Sequence, residues 1–274
     1  MKQNKIEQPG GRGLIMILAA VVVVALTVGL VISYGKLRDI WLEQCVIEDP
    51  TLQVSVGSGK MVKADVLAEE FGLRKGANLA LIDFEKKRKE ILKKIPNLRS
   101  IRISRKLPGR VTITAEERSP VARMNIHGRK SETGRVVDTD GVVFIWQRGT
   151  QMLPIIREAQ APGTAIGNTL TGRSLAALRL IESSQEAGRS DLGVLEVDIF
   201  RPDYLVATLG NYARAKIAWE GMDDPAPSNR KNLDLQLDLL AKAIRSRIGE
   251  NTLIWNATDT STPSRIYADS KGNL

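Results

Sequence analysis

Residues 14–33, LIMILAAVVVVALTVGLVIS, are twenty successive residues with no charge and no proline. As a helix rising about 1.5 Å per residue they span roughly 30 Å, the thickness of a bilayer's hydrocarbon core. Thirteen of the twenty are Leu, Ile or Val. Each favours insertion by roughly 0.3–0.6 kcal/mol, so the segment partitions into lipid by several kcal/mol. A helix buried in a globular core would carry a polar stripe, and this one carries none. A cleaved signal peptide has a shorter apolar region, about 7–15 residues, ending at a small-residue site. Tyr34-Gly35-Lys36-Leu37-Arg38 offers no such site, and Cys45 follows Glu43-Gln44 rather than the small residue of a lipoprotein pattern. An uncleaved signal anchor is the expectation.

Lys2, Lys5 and Arg12 precede the span against a single Glu7, while Lys36 and Arg38 follow it. That asymmetry, with a large body after the span, predicts a cytoplasmic tail over 1–13, a membrane helix over 14–33 and a juxtamembrane linker over 34–49. The rest lies outside the cytoplasm as two domains, 50–124 and 125–274. One cysteine permits no internal disulfide, so the body is held by packing. Residues 50–125 hold 17 Lys and Arg against 8 Asp and Glu, whereas 126–274 hold 18 against 18. The chain's charge of +9 is thus concentrated next to the membrane. A basic domain there suits anionic lipid headgroups or an acidic partner. Nucleic acid suits the charge but not the location, and no nucleic-acid-binding motif is present.

Chemistry is sparse. His127 is the single histidine and Cys45 the single cysteine, which excludes the usual zinc sites by count. A His-based triad would have to use His127, which has no nucleophile motif near it. Gly57-Ser58-Gly59-Lys60 looks like a phosphate loop, but Val54 stands where its first glycine belongs and Met61 where the Ser or Thr belongs. Ser228-Asn229-Arg230-Lys231 matches S-x-x-K without companion motifs. Asp138 and Asp140 lack the closing Glu of a calcium loop. No enzyme, metal or cofactor signature survives.

The first external domain reads β-α-α-β-β: a strand over 52–56, helices over 61–71 and 84–94, and strands over 98–106 and 110–117. Val62, Val66 and Phe71 are the expected inner face of the first helix. Asp83 is placed to cap the second, with Glu85 in its first turn and Lys93-Lys94 in its last. In the second domain, 136–144 reads as a hairpin turning at Asp140-Gly141. A loop is marked by Pro154, Pro162 and Gly163. An amphipathic helix covers 173–188, and strands are expected at 194–199, 204–209 and 213–219. A longer helix capped by Ser228 follows, with Leu233, Leu237, Leu240, Ile244 and Ile248 on one face. Strands at 252–257 and 264–268 close the domain. The fold class is α+β: one membrane helix, a small three-stranded domain, and a larger domain of antiparallel strands with two helices.

The block NLALID, then IPNLRSIRISRKLPGRVTITAEERSPVARM, resembles a POTRA domain, and specifically that of the FtsQ/DivIB cell-division proteins. The motif residues are Pro108 and Gly109 in a hairpin, then Glu117, Arg118 and Pro120 in the E-R-S-P-V-A run. The stretch Val137-Asp138 through Gly141 to Phe144 also matches the V-D-x-x-G-x-x-F hairpin that follows POTRA in that family. The resemblance implies a non-catalytic, single-pass inner-membrane scaffold at the division septum. Its C-terminal body would lie outside the cytoplasm and bind FtsB/FtsL-type partners and other divisome membrane proteins. It further implies that a partner adds to the C-terminal edge strands, at Trp255 and Asn256 and then Arg265, Ile266 and Tyr267. Arg201 occupies a basic partner-contacting position. Leu253 to Ala257 departs from the acidic-and-arginine pattern usual in that penultimate strand. A membrane-anchored envelope enzyme, or a transporter or assembly accessory using POTRA as a docking module, is the second class these residues allow.

Overall fold

The computed structural model describes residues 11–47, 54–56, 61–106, 110–126, 134–146, 149–158, 165–222, 224, 226–246, 253–259 and 266–268. The chain divides into two compact units. One comprises Met1–Ser55, Ala64–Arg88 and Arg102–Thr114; the other comprises Val56–Lys63, Lys89–Ile101 and Ala115–Leu274.

The first unit opens with helix α1, Gly11–Gln44. Its large apolar side chains from Met16 to Trp41 are 44–74 % exposed, and the helix is long and apolar enough to cross a membrane. The helix does not end at Ser33, where the apolar run stops; it continues for three further turns through residues expected to form a linker. The end of α1 is tied down by backbone bonds. Ile47 N donates to Ala77 O, Gly76 N to Ile47 O and Leu79 N to Cys45 O at 2.8–3.0 Å, and Asn78 Nδ2 donates to Leu42 O at 2.8 Å. Cys45 and Ile47 are fully buried there.

Strand β1 (Val54–Val56), helix α2 (Ala64–Phe71), helix α3 (Phe84–Lys94), strand β2 (Leu98–Lys106) and strand β3 (Arg110–Glu117) follow, in the expected β-α-α-β-β order. The strands pair as β1-β3-β2. In β3 the alternation is strict, with Val111, Ile113, Ala115 and Glu117 inward. Asp83 caps α3 as expected, its Oδ1 accepting from Lys86 N at 3.0 Å. On α2 the inward residues are Leu67 and Phe71. Val66, expected inside, is exposed, because one residue's turn of 100° carries it off the face that Leu67 occupies. Phe71 stacks on Phe84 at 6.0 Å, and the Arg105 guanidinium covers Phe84 at 4.6 Å.

The second unit is built on a nine-stranded sheet. Its strands are β4 (Ala122–Ile126), β5 (Arg135–Val137), β6 (Val143–Ile145), β7 (Ile155–Glu158), β8 (Glu196–Asp198), β9 (Leu205–Thr208), β10 (Arg214–Ile217), β11 (Ile254–Ala257) and β12 (Tyr267–Ala268). Their spatial order is β12-β11-β10-β9-β8-β7-β4-β5-β6. Pairing is mixed: β4 with β7, β7 with β8 and β10 with β11 are parallel. The last two of those crossovers carry α4 (Gly172–Ser184) and α5 (Pro227–Ile244), as a parallel connection needs a long return. Both helices cover one face. Leu178 and Ile181 of α4, and Leu233, Leu237 and Leu240 of α5, share a core with Ile156, Val197, Ile217 and Trp255. The N-cap of α5 is Ala226 with Pro227 at the first position, not Ser228, since the proline's fixed φ starts the helix earlier.

Arg189 ties the two helices together. It is buried, and it donates to Asp234 at 2.8 Å, to Asp238 at 2.6 Å and to Ser183 O at 3.0 Å. The bond to Asp238 raises its pKa above the ordinary arginine value. Arg189→Ala is expected to cost about 2 kcal/mol, lowering the melting temperature by roughly 4–8 °C for a unit of this size. Thermal unfolding of the detergent-solubilised full chain checks this.

Candidate functional site

The E-R-S-P-V-A run ends β3 and leads into β4, and its two charged residues are both structural ties. Glu117 is buried, and its Oε1 accepts from Met61 N at 2.8 Å and Val62 N at 2.7 Å. Arg118 reaches the other way. Its Nη1 donates to Asp138 Oδ2 at 2.5 Å and Asp140 Oδ2 at 3.4 Å, and its Nε to Pro96 O at 3.1 Å. Arg99 closes the cluster on Asp140 at 3.0 Å, and Asn97 Nδ2 donates to Ile145 O at 2.7 Å.

Asp138 is 2 % exposed, and its other oxygen organises the turn, accepting from Asp140 N at 3.1 Å and Val142 N at 2.9 Å. Gly141 is required here. It has φ +76°, and a Cβ would meet Thr169 Cγ2 at 3.3 Å. β5 and β6 pair antiparallel as the expected hairpin with Asp140-Gly141 at its turn, and Asp138 organises that turn. Pro120 lies in the short link before β4, where Val121 N bonds Val137 O at 2.8 Å. The partner of the two aspartates is an arginine some twenty residues upstream, which no spacing rule reveals.

Glu182 of α4 is half-buried, and burial raises its pKa above the usual carboxylate range. Arg230 and Arg179 oppose that shift, while Asp138 and Asp140 add to it.

The expected edge residues are distributed as follows. In the sheet, β6 is covered on its outer side: Val143 N donates to Asn168 O and Gly167 N to Val143 O at 3.0 and 2.7 Å. At the opposite end, β12 is the terminal strand among the described residues, paired to β11 through Asn256↔Tyr267 and Trp255↔Ala268. Trp255 is 2 % exposed and fills the core. Its indole nitrogen is buried without a partner among the described residues. Asn256 lies on the other face, its Oδ1 accepting from Thr258 N and Oγ1 at 3.2 and 2.8 Å. Ile266 packs partly against the core. Arg201 is exposed, its guanidinium 5.2 Å from the Phe200 ring. Pro108, Gly109, Arg265 and His127 lie outside the described residues.

Among the described residues no group of three or more His, Cys, Asp or Glu is arranged to hold a metal ion. The first unit contains a cleft of about 890 Å³ between α2 and the loop after it, with Phe71, Leu73 and Leu81 beside Arg74, Lys75 and Lys87.

A helix long and apolar enough to cross a membrane precedes a β-α-α-β-β module and a mixed sheet. A scan against family models matches the POTRA domain, FtsQ-type, at residues 50–118. The protein is FtsQ/DivIB-like and POTRA-containing. No curated protein matches the chain.

Arg118→Ala strands the buried Asp138 carboxylate and is expected to cost about 3 kcal/mol. Arg118→Lys recovers only part, because an ammonium cannot span three acceptors as a guanidinium does. Asp138→Asn in the Arg118→Ala background recovers a further share. Melting temperatures of the four proteins check this. Glu182 behaves oppositely. With its folded pKa above the unfolded one, the fold binds the proton more tightly. Stability therefore falls as pH rises from the unfolded carboxylate value through the folded one, and is level beyond it. Glu182→Gln is expected to flatten that slope and to melt no lower than wild type at pH 8, measured by melting curves across pH.

Proposed function

We propose that this protein is a non-catalytic, single-pass scaffold of the bacterial division complex. Its N-terminus would lie in the cytoplasm and its body outside the inner membrane at the septum, linking early and late septal proteins. The observation that carries the reading is the FtsQ-type POTRA domain at residues 50–118, which follows the one helix among the described residues that is long and apolar enough to cross a membrane. The two external domains would run over 50–124 and 125–274. FtsB/FtsL-type partners would dock on the outer edge of β12 by backbone pairing, since an edge strand offers its N–H and C=O groups to another chain. The covered edge at β6 leaves β12 the better of the two ends.

Within this reading Trp255 acts by holding β11 in place rather than by touching the partner. Asn256, Ile266, Tyr267, Arg265 and Arg201 are the contact candidates. The motif residues Glu117 and Arg118 act by holding neighbouring segments in place, Glu117 through the backbone of Met61 and Val62 and Arg118 through Asp138. The charge of residues 50–125 would add weak attraction to anionic headgroups. With α1 along the bilayer normal, the tie at Cys45–Ile47 stands about 18 Å from the hydrocarbon edge, beyond a Debye length of about 8 Å.

Depletion in the source bacterium is expected to give filaments without septa; normal division would defeat the proposal. Tyr267→Pro in the full-length tagged chain should reduce coprecipitation of FtsB/FtsL-type proteins at least tenfold, with Arg201→Ala reducing it severalfold.

A further inference from the structure

The part of α1 beyond the apolar run has no purpose in an anchor alone, yet it carries large apolar side chains. Tyr34 is 71 % exposed, Leu37 66 % and Trp41 44 %. With Leu30 they repeat at intervals of four, three and four residues. That is the spacing of a heptad seam, and Val23 and Thr27 continue it back into the span. Lipid does not cover the outer part of this seam. A bilayer of about 40–45 Å with a 30 Å hydrocarbon core leaves roughly 5–7.5 Å of headgroup layer on each side. Tyr34 lies in that layer and Leu37 at its rim. Trp41, eight residues past Ser33, stands about 12 Å out, and still about 9 Å out at a 40° tilt.

Backbone bonds between Cys45 and Ile47 and residues 76–79 fasten the end of the helix to the folded module, so submerging Trp41 would drag that module toward the lipid. A second copy of this chain is a poor occupant. In a parallel pair, Tyr34 and Trp41 would each face themselves in layers that accept aliphatic residues. Anything lying along a seam that emerges from the membrane must emerge beside it.

We propose that the seam Leu30-Tyr34-Leu37-Trp41 docks the helix of a second single-pass membrane protein running parallel to α1. Small or aliphatic residues of that helix would oppose Tyr34 and Trp41, and an acidic one would lie near Arg38, which flanks the seam. The inference rests on α1 being a membrane span and not on what binds the β12 edge.

The test is photo-crosslinking in the full-length chain in its own membranes, with benzoylphenylalanine replacing Leu37, Trp41, Asp39 or Glu43 in turn. The expected result is an adduct from 37 and 41 at least tenfold stronger than from 39 and 43 on the opposite face. The crosslinked residue, mapped by mass spectrometry, should lie just outside the span of another single-pass protein. Leu37→Glu should cut the adduct at 41 at least tenfold without changing the chain's abundance in the membrane. An adduct to lipid, to a second copy or to a soluble protein would overturn the proposal, as would equal yields on the two faces or no adduct. The readout is separate from coprecipitation through the sheet edge, so either reading can fail alone.

Discussion

Backbone polar groups have to be satisfied wherever water is absent, and much of this molecule follows from how that is done. In a bilayer the only solution for a single segment is an uninterrupted helix, and α1 is long and apolar enough to be one. Where α1 ends, its last groups are taken up by residues 76–79, so the helix meets the folded module through bonds rather than a slack connection. In the large sheet, one outer edge is closed by residues 167–169. The other edge ends, among the described residues, at β12, which pairs only with β11 in the sheet order.

Charge inside the second unit joins distant segments. Arg118 with Asp138 and Asp140, and Arg189 with Asp234 and Asp238, each bind segments distant in sequence. A guanidinium suits this role because it donates along several directions at once and keeps its charge when buried. The motif by which the first domain resembles its family is therefore a clasp. Glu117 grips the segment before α2, and Arg118 grips the loop between β5 and β6.

Legibility followed the range of the forces involved. The apolar run, the cap at Asp83, the alternation in β3 and the face of α5 are local, and each was readable from spacing. Two strands, β4 and β7, were not. β4 follows the proline of a motif that reads as an exit from the domain, and β7 is four residues long beside Pro154. Their strand character comes from pairing with each other and with β8, not from their own composition. The parallel pairs were hidden for the same reason, since alternation does not report the direction of a neighbour. The family resemblance put Trp255 among the partner-contacting positions; its place on the helix-covered side of β11 makes it core.

What the amino-acid sequence determined alone was a helix long and apolar enough to cross a membrane, the order of elements in the first domain and the α+β class. All of these arise from interactions within a few residues or from partition into lipid. Only the tertiary structure decided that the stalk stays helical to Gln44, that Arg118 answers Asp138, and which edge of the sheet ends at β12. Those outcomes depend on which distant segments meet, and the energy that selects them exists only once they do.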